Sequence, residues 1–173
     1  MGGFISGLRN KFSNVRWVYD GNLHLTLKFL GEMPKDDLDK LYLGCRSAVS
    51  DIAPFSFSCE GLGMFPNERS PRIVWLGIKK SKEEFKDLVC KLESSLSGLG
   101  FPKDKRDYTP HLTLGRIKTP DDSVKNLWKD LGPYHNFRLR EIFADKICVM
   151  KSVLSSEGAE HSVLEEFYFK RGN

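Results

Sequence analysis

The tetrapeptide His-Leu-Thr-Leu stands twice in this chain, at 24–27 and at 111–114, one copy in each half of the 173 residues. Chance repetition of a tetrapeptide in a chain this long has an expectation of about 0.1, so context decides. Each copy lies in a short apolar run of strand character. Alternate residues of a strand share a face and sit about 6.6–7 Å apart. His24 and Thr26 therefore point one way, with Leu23, Leu25 and Leu27 behind them. His111 and Thr113 repeat the arrangement over Leu112 and Leu114. A lone histidine on a strand is usually a satisfied surface or core residue. Two in matched His-x-Thr contexts point to a site with two imidazoles and two hydroxyls, in two similar lobes facing each other. Imidazoles are the side chains that give and take protons near neutral pH.

The length is that of one domain, 1–173, with enough chain for a sizeable core. Hydrophobic content of 40% and charged content of 29% are ordinary for a globular protein. A net charge of +4 permits a polyanionic partner without requiring one. Cys45, Cys59, Cys90 and Cys148 have neither zinc-pair nor redox-motif spacing. Each sits in an apolar pattern, which predicts buried free thiols and a reducing, cytoplasmic compartment. There is no apolar run of membrane-span length.

The periodicities predict an α+β fold with helices packed outside one or two largely antiparallel sheets. A short helix is expected over 4–12. Extended segments follow at 15–18 and 23–30, broken by the turn signal Asp20-Gly21-Asn22. A helix over 34–49 carries Leu38, Leu41, Tyr42, Cys45 and Val49 at helical spacing. Phe55, Phe57 and Cys59 alternate as a strand, 61–71 reads as a loop and 72–78 as a strand. Ser81 with Glu84 forms a capping box for a helix that Gly98 stops. A strand is expected over 108–117 and a short helix from Pro120 to about Gly132. Three final extended runs follow, at 137–143, 145–154 and 162–170, with a hairpin loop at 155–160.

A pair of histidines suits inline displacement at phosphorus. One imidazole takes a proton from the attacking water and the other gives one to the leaving oxygen. Thr26 and Thr113 supply hydroxyl donors to the non-bridging oxygens, and a nearby cation offsets the developing charge. Lys28 shares the face of His24 and Thr26 by parity. Strict alternation puts Arg116 on the face opposite Thr113, so its participation needs the strand to end or bulge near Gly115. His135 and His161 lack such a context and read as structural. No nucleophile elbow, P-loop, dinucleotide fingerprint or zinc pattern occurs. No cofactor or metal is called for.

Asn22–Gly31 and Thr109–Arg116, each built around a His-x-Thr, resemble the paired signatures of the two-histidine phosphoesterases. More narrowly they resemble the RNA 2′,3′-cyclic phosphodiesterases, also called 2′-5′ RNA ligases. Arg16-Trp17-Val18, Phe65-Pro66-Asn67, Pro71–Gly77 and Leu99-Gly100-Phe101 resemble the same subfamily, so the resemblance runs from about residue 8 to the C-terminus. It implies a bilobal α+β fold with pseudo-twofold symmetry, antiparallel sheets lining a central cleft, and helices outside. It also implies metal-independent opening of RNA 2′,3′-cyclic phosphate ends to 2′-phosphomonoesters. His24 would be the general acid, His111 the base, and Arg116 a phosphate ligand. Phe65, Trp75 or Tyr108 would stack on the terminal base, core packing being the competing reading for Trp75. The alternatives are an esterase for 2′-5′ linkages or small cyclic phosphates, and a catalytically silent module that binds RNA ends. Relatives begin with a hydrophobic strand and a full helix; here Phe4-Ile5 is a remnant of that strand, or the strand is shortened away.

Overall fold

The computed structural model describes residues 2–119, 126–155 and 158–170. Its elements in chain order are α1 (Gly2–Lys11), β1 (Val15–Trp17), α2 (Leu38–Val49), β2 (Phe55–Phe65), β3 (Ile73–Lys80), α3 (Lys82–Ser97) and β4 (His111–Ile117). These are followed by α4 (Leu127–Asp130), β5 (Ile142–Ala144), β6 (Lys146–Ser155) and β7 (Gly158–Tyr168). The class is α+β with antiparallel ladders. Among the described residues no helix is long and apolar enough to cross a membrane.

The chain divides into two compact units. One comprises Met1–Thr26, Phe57–Lys80 and Pro110–Ile142; the other comprises Leu27–Ser56, Ser81–Thr109 and Phe143–Asn173. Both copies of the His-x-Thr motif fall in the first unit, not one in each. Halves of the sequence are therefore not the structural units, because each unit draws its segments from both halves of the chain.

The five-stranded sheet has the order β1-β4-β3-β2-β5. Its covered face holds Val15, Trp17, Val74, Leu76, Leu112 and Leu114, all buried. These positions alternate along their strands as a half-buried antiparallel sheet demands. In α1, Ile5, Leu8 and the following Phe12 are buried at helical spacing. Phe4 and Ile5 are therefore helical rather than part of a strand, and the Phe4 ring stacks on Phe137 at 3.6 Å. The β2 strand runs on to Phe65, so the predicted loop begins five residues later than its glycines suggested.

The second unit packs α2 and α3 over the two-stranded sheet β6-β7. Leu41, Cys45, Leu88, Leu92 and Leu96 from the helices meet Ile147, Val149 and Phe167 from the strands and Phe169 just beyond β7. The predicted capping box at Ser81 does not form. Ser81 has a left-handed φ of 67° and no side-chain bond to the helix amides. Its hydroxyl instead donates to the Ser56 carbonyl at 2.9 Å. The helix stops at Ser97 as expected, but the left-handed residue is Gly100, with φ 97°, rather than Gly98. Cys45 and Cys59 are buried, whereas Cys90 and Cys148 are exposed, correcting the expectation for those two. Of the short helix expected from Pro120, the described residues show Leu127–Asp130; its start lies outside them. Of the hairpin loop expected at 155–160, residues 156–157 lie outside them too. The flanking residues belong to the strands, which pair as far as Ser155 with Gly158.

Candidate active site

The two motif copies are brought side by side by one antiparallel bridge, Leu25 with Leu112. These are the central leucines of the two tetrapeptides. In that register His24 stands across from Thr113 and Thr26 across from His111. Cross-strand partners have Cβ atoms about 4.5–5.5 Å apart, and same-strand neighbours two residues on lie about 6.6–7 Å apart. The extended segment expected over 23–30 is reduced to this one bridge at Leu25; His24 and Thr26 flank it on one segment, and His111 and Thr113 flank the buried Leu112 on the other. His111 and Thr113 are half-buried, Leu112 and Leu114 are buried, and His24 is exposed at the rim.

The His24 ring is held by its own turn. Its Nδ1–H donates to the Asn22 carbonyl at 2.7 Å. That tautomer puts the lone pair of the neutral ring on Nε2, which becomes the atom that exchanges protons. His111 is set by aromatic neighbours. The Phe65 ring meets it edge-on at 5.0 Å, and Trp75 lies 6.3 Å away. Phe65 and Trp75 are themselves 5.1 Å apart. Trp75 pairs with Thr113 on one side and with Gly63 on the other. A Cβ at position 63 would stand 2.1 Å from the indole ring, so glycine there is what allows the indole to lie across β2. The indole Nε1 is buried without a hydrogen-bond partner among the described residues.

Arg116 reaches the histidine face through an irregularity. In the β3-β4 ladder Trp75 pairs with Thr113, but Val74 pairs with Gly115. Leu114 is therefore an extra residue on β4, a bulge. Leu114 and Gly115 are both buried and Arg116 is exposed. Arg116 pairs with Ile73, which shares the face of Trp75. The bulge thus turns Arg116 to the same side as His111 and Thr113. Gly115 permits this close fit, since a Cβ there would stand 2.6 Å from Val15 Cγ1 and 3.0 Å from the Trp17 ring.

Lys28 behaves differently. Its Nζ lies 2.7 Å from Glu93 Oε1 and donates to the Pro102 carbonyl at 2.8 Å. Its side chain is only 4% exposed. It is an internal ion pair of the second unit. Tyr108 also belongs to that unit, outside any strand. Its hydroxyl is buried without a hydrogen-bond partner among the described residues, and burial pushes its pKa well above the ordinary phenol range. The structure therefore groups His24, Thr26, Phe65, His111, Thr113 and Arg116 in one unit and places Lys28 and Tyr108 in the other. Sequence reasoning missed Arg16, which pairs directly with Arg116. Its signal was the exposed charge between Val15 and Trp17, whose side chains are buried. The His135 Nε2–H donates to the Trp128 carbonyl at 2.9 Å and the ring stacks on that indole, as a structural residue would. Among the described residues no group of three or more His, Cys, Asp or Glu side chains is placed to hold a metal ion.

This architecture is shared with known proteins. The crystal structure of TT0787 from Thermus thermophilus matches with a TM-score of 0.78 at 26% identity, over 96% of this chain and 90% of that one. The structure of E. coli LigT complexed with 3′-AMP matches with a TM-score of 0.71 at 22% identity, over 96% and 90%, and shows the same fold. The family model described as the 2′-5′ RNA ligase superfamily matches residues 3–151, and the chain belongs to that superfamily. It is 34% identical over 160 residues to the RNA 2′,3′-cyclic phosphodiesterase of Methanothermobacter thermautotrophicus, covering 92% of this chain and 85% of the relative. It is 32% identical over 168 residues to the protein of the same name from Thermotoga maritima, covering 97% and 87%.

Proposed function

We propose that this chain hydrolyses RNA 2′,3′-cyclic phosphate ends to 2′-phosphomonoesters, with two histidines as acid and base and without a metal. The observation that supports the reading is the antiparallel bridge between Leu25 and Leu112, the central leucines of the two His-Leu-Thr-Leu copies. The family supplies the substrate class, since relatives over most of the chain are named for this reaction. In the reaction a water oxygen forms a bond to phosphorus and the bond from phosphorus to the 3′ oxygen breaks. His111 takes the proton of the water. Protonated His24 gives its Nε2 proton to the 3′ oxygen, its Nδ1–H remaining on the Asn22 carbonyl. Thr26 and Thr113 donate hydroxyl protons to the non-bridging oxygens, and Arg116 balances the charge that develops there. Phe65, beside His111, offers a ring for the terminal base. We give Lys28 no part, because its ammonium is committed to Glu93 and Pro102. The four cysteines are unbridged, which fits a reducing, cytoplasmic setting.

The test is an RNA oligomer ending in a 2′,3′-cyclic phosphate, incubated with the protein in excess EDTA and followed by mass analysis of the product end. The expected product is a 2′-phosphate. His24→Ala and His111→Ala should each lower turnover about 10²–10⁴-fold with the fold intact by circular dichroism. Full activity in either variant, or RNA binding with no turnover in the native protein, overturns the reading.

A further inference from the structure

We infer that Arg16 binds the phosphate on the 5′ side of the terminal nucleotide, making the site selective for phosphate-bearing ends over bare nucleosides. This inference rests on the proposed reaction and adds a residue to it.

The placement comes from two registers. Arg16 is the direct cross-strand partner of Arg116 in the β1-β4 ladder. Arg116 lies on the face of Thr113 and His111 because of the Leu114 bulge. Arg16 therefore stands on that same face, with Val15 and Trp17 buried on the other. The two arginine Cβ atoms are about 4.5–5.5 Å apart. Along β4, Arg116 lies at most about 10 Å from Thr113.

Two guanidiniums facing each other across a ladder repel, and like charges directly opposite destabilise a sheet. Any polar residue would satisfy an exposed position between Val15 and Trp17. Both arginines are exposed, and neither has an acid, acceptor or ring partner among the described residues. Three other cations of this unit are held in polar contacts. Arg138 pairs with Glu60, Lys80 with Glu141, and Lys118 donates to the Ser13 carbonyl. Two guanidiniums facing each other on the side of Thr113 and His111 can hold a second anion, and the planar fork of arginine suits phosphate oxygens. A 2′,3′-cyclic phosphate closes the 3′ end of a strand. The next phosphate covalently attached to that substrate must therefore lie on the 5′ side. It is either a chain linkage or a free 5′-phosphate, and the chemistry recognised is the same.

Three substrates isolate the contact: a nucleoside 2′,3′-cyclic phosphate, the same nucleoside carrying a 5′-phosphate, and an RNA oligomer with a cyclic end. For Arg16→Ala, the loss in kcat/KM on both phosphate-bearing substrates should exceed the loss on the bare nucleoside about tenfold. On the oligomer, the slope of log kcat/KM against log salt should become shallower by about 0.7. Arg16→Lys should recover part of both. The melting temperature of Arg16→Ala should hold or rise, because a repulsive pair is removed. Equal losses on all three substrates, no loss on any, or a loss confined to the oligomer overturns the inference. Native protein that opens none of the three overturns the proposed reaction itself, which separates the two failures.

Discussion

The two copies of His-Leu-Thr-Leu are identical, and the residues that follow them part ways. After the first copy comes Lys28, which strict alternation would put on the side of His24 and Thr26. It is nonetheless buried, locked to Glu93 and the Pro102 carbonyl. After the second copy comes Gly115-Arg116, and parity turns Arg116 away from Thr113. It is nonetheless returned to the histidine face by the bulge at Leu114. Alternation thus predicts the placement of neither cation. A motif specifies its own four positions, and the surrounding packing decides what its flanks do.

The contrast can be broken at either end, and the largest effect is expected at the buried end. Lys28→Ala leaves the Glu93 carboxylate, 13% exposed, without its partner. Removing one member of a buried pair costs about 3 kcal/mol or more. Chemical denaturation should show that loss, while kcat/KM of the folded protein stays within about threefold on the scale where tenfold is about 1.36 kcal/mol. The double variant Lys28→Met with Glu93→Leu should recover most of the stability; failure to do so would mean that Lys28 acts through something besides this pair. Arg116→Ala should do the reverse. Turnover should fall about 10²-fold with the melting temperature held or raised, since the pair with Arg16 is removed. Comparable activity losses in the two single variants would erase the distinction drawn here.

Gly115→Ala tests the bulge itself. The added methyl meets Val15 Cγ1 and the Trp17 ring, and overpacking of this kind costs about 1–3 kcal/mol. Activity should fall further than stability, because the same shift displaces Arg116. A loss of stability with full activity would show that Arg116 does not depend on this geometry.

The smallest effect concerns the thiols. Burial raises Cys45 and Cys59 to about 11 from an ordinary value of 9.0. The folded state thus holds them protonated, a contribution fully present below about pH 9 and lost as the pH rises through about 11. In native protein at pH 8, a thiol reagent should modify Cys90 and Cys148 only, and in denaturant all four; mass spectrometry counts them. Labelling of Cys45 or Cys59 in the native state would contradict the core described here.

Much of this was legible in the chain. The leucine stripes of α2 and α3 and the alternation around His111 are local patterns, and they survive folding because one face is buried; the strand expected over 23–30 is reduced to a single bridge at Leu25. The condition on Arg116 was legible too, because Gly115 is where a strand can deform. What escaped depends on contacts between distant positions. Nothing near Lys28 announces Glu93. Nothing near Ser81 announces the Ser56 carbonyl that draws its hydroxyl from the helix end. The grouping of both motifs in one unit needed the pairing of Leu25 with Leu112, a register that neither segment encodes alone.

That pairing has a kinetic consequence. Leu25 and Leu112 meet only after half the chain has been drawn into a loop, and closing a long loop carries an entropic cost that local helices avoid. On dilution from denaturant, helical ellipticity should therefore return before catalytic competence does, and recovery of turnover would time the moment at which the two imidazoles first share a surface.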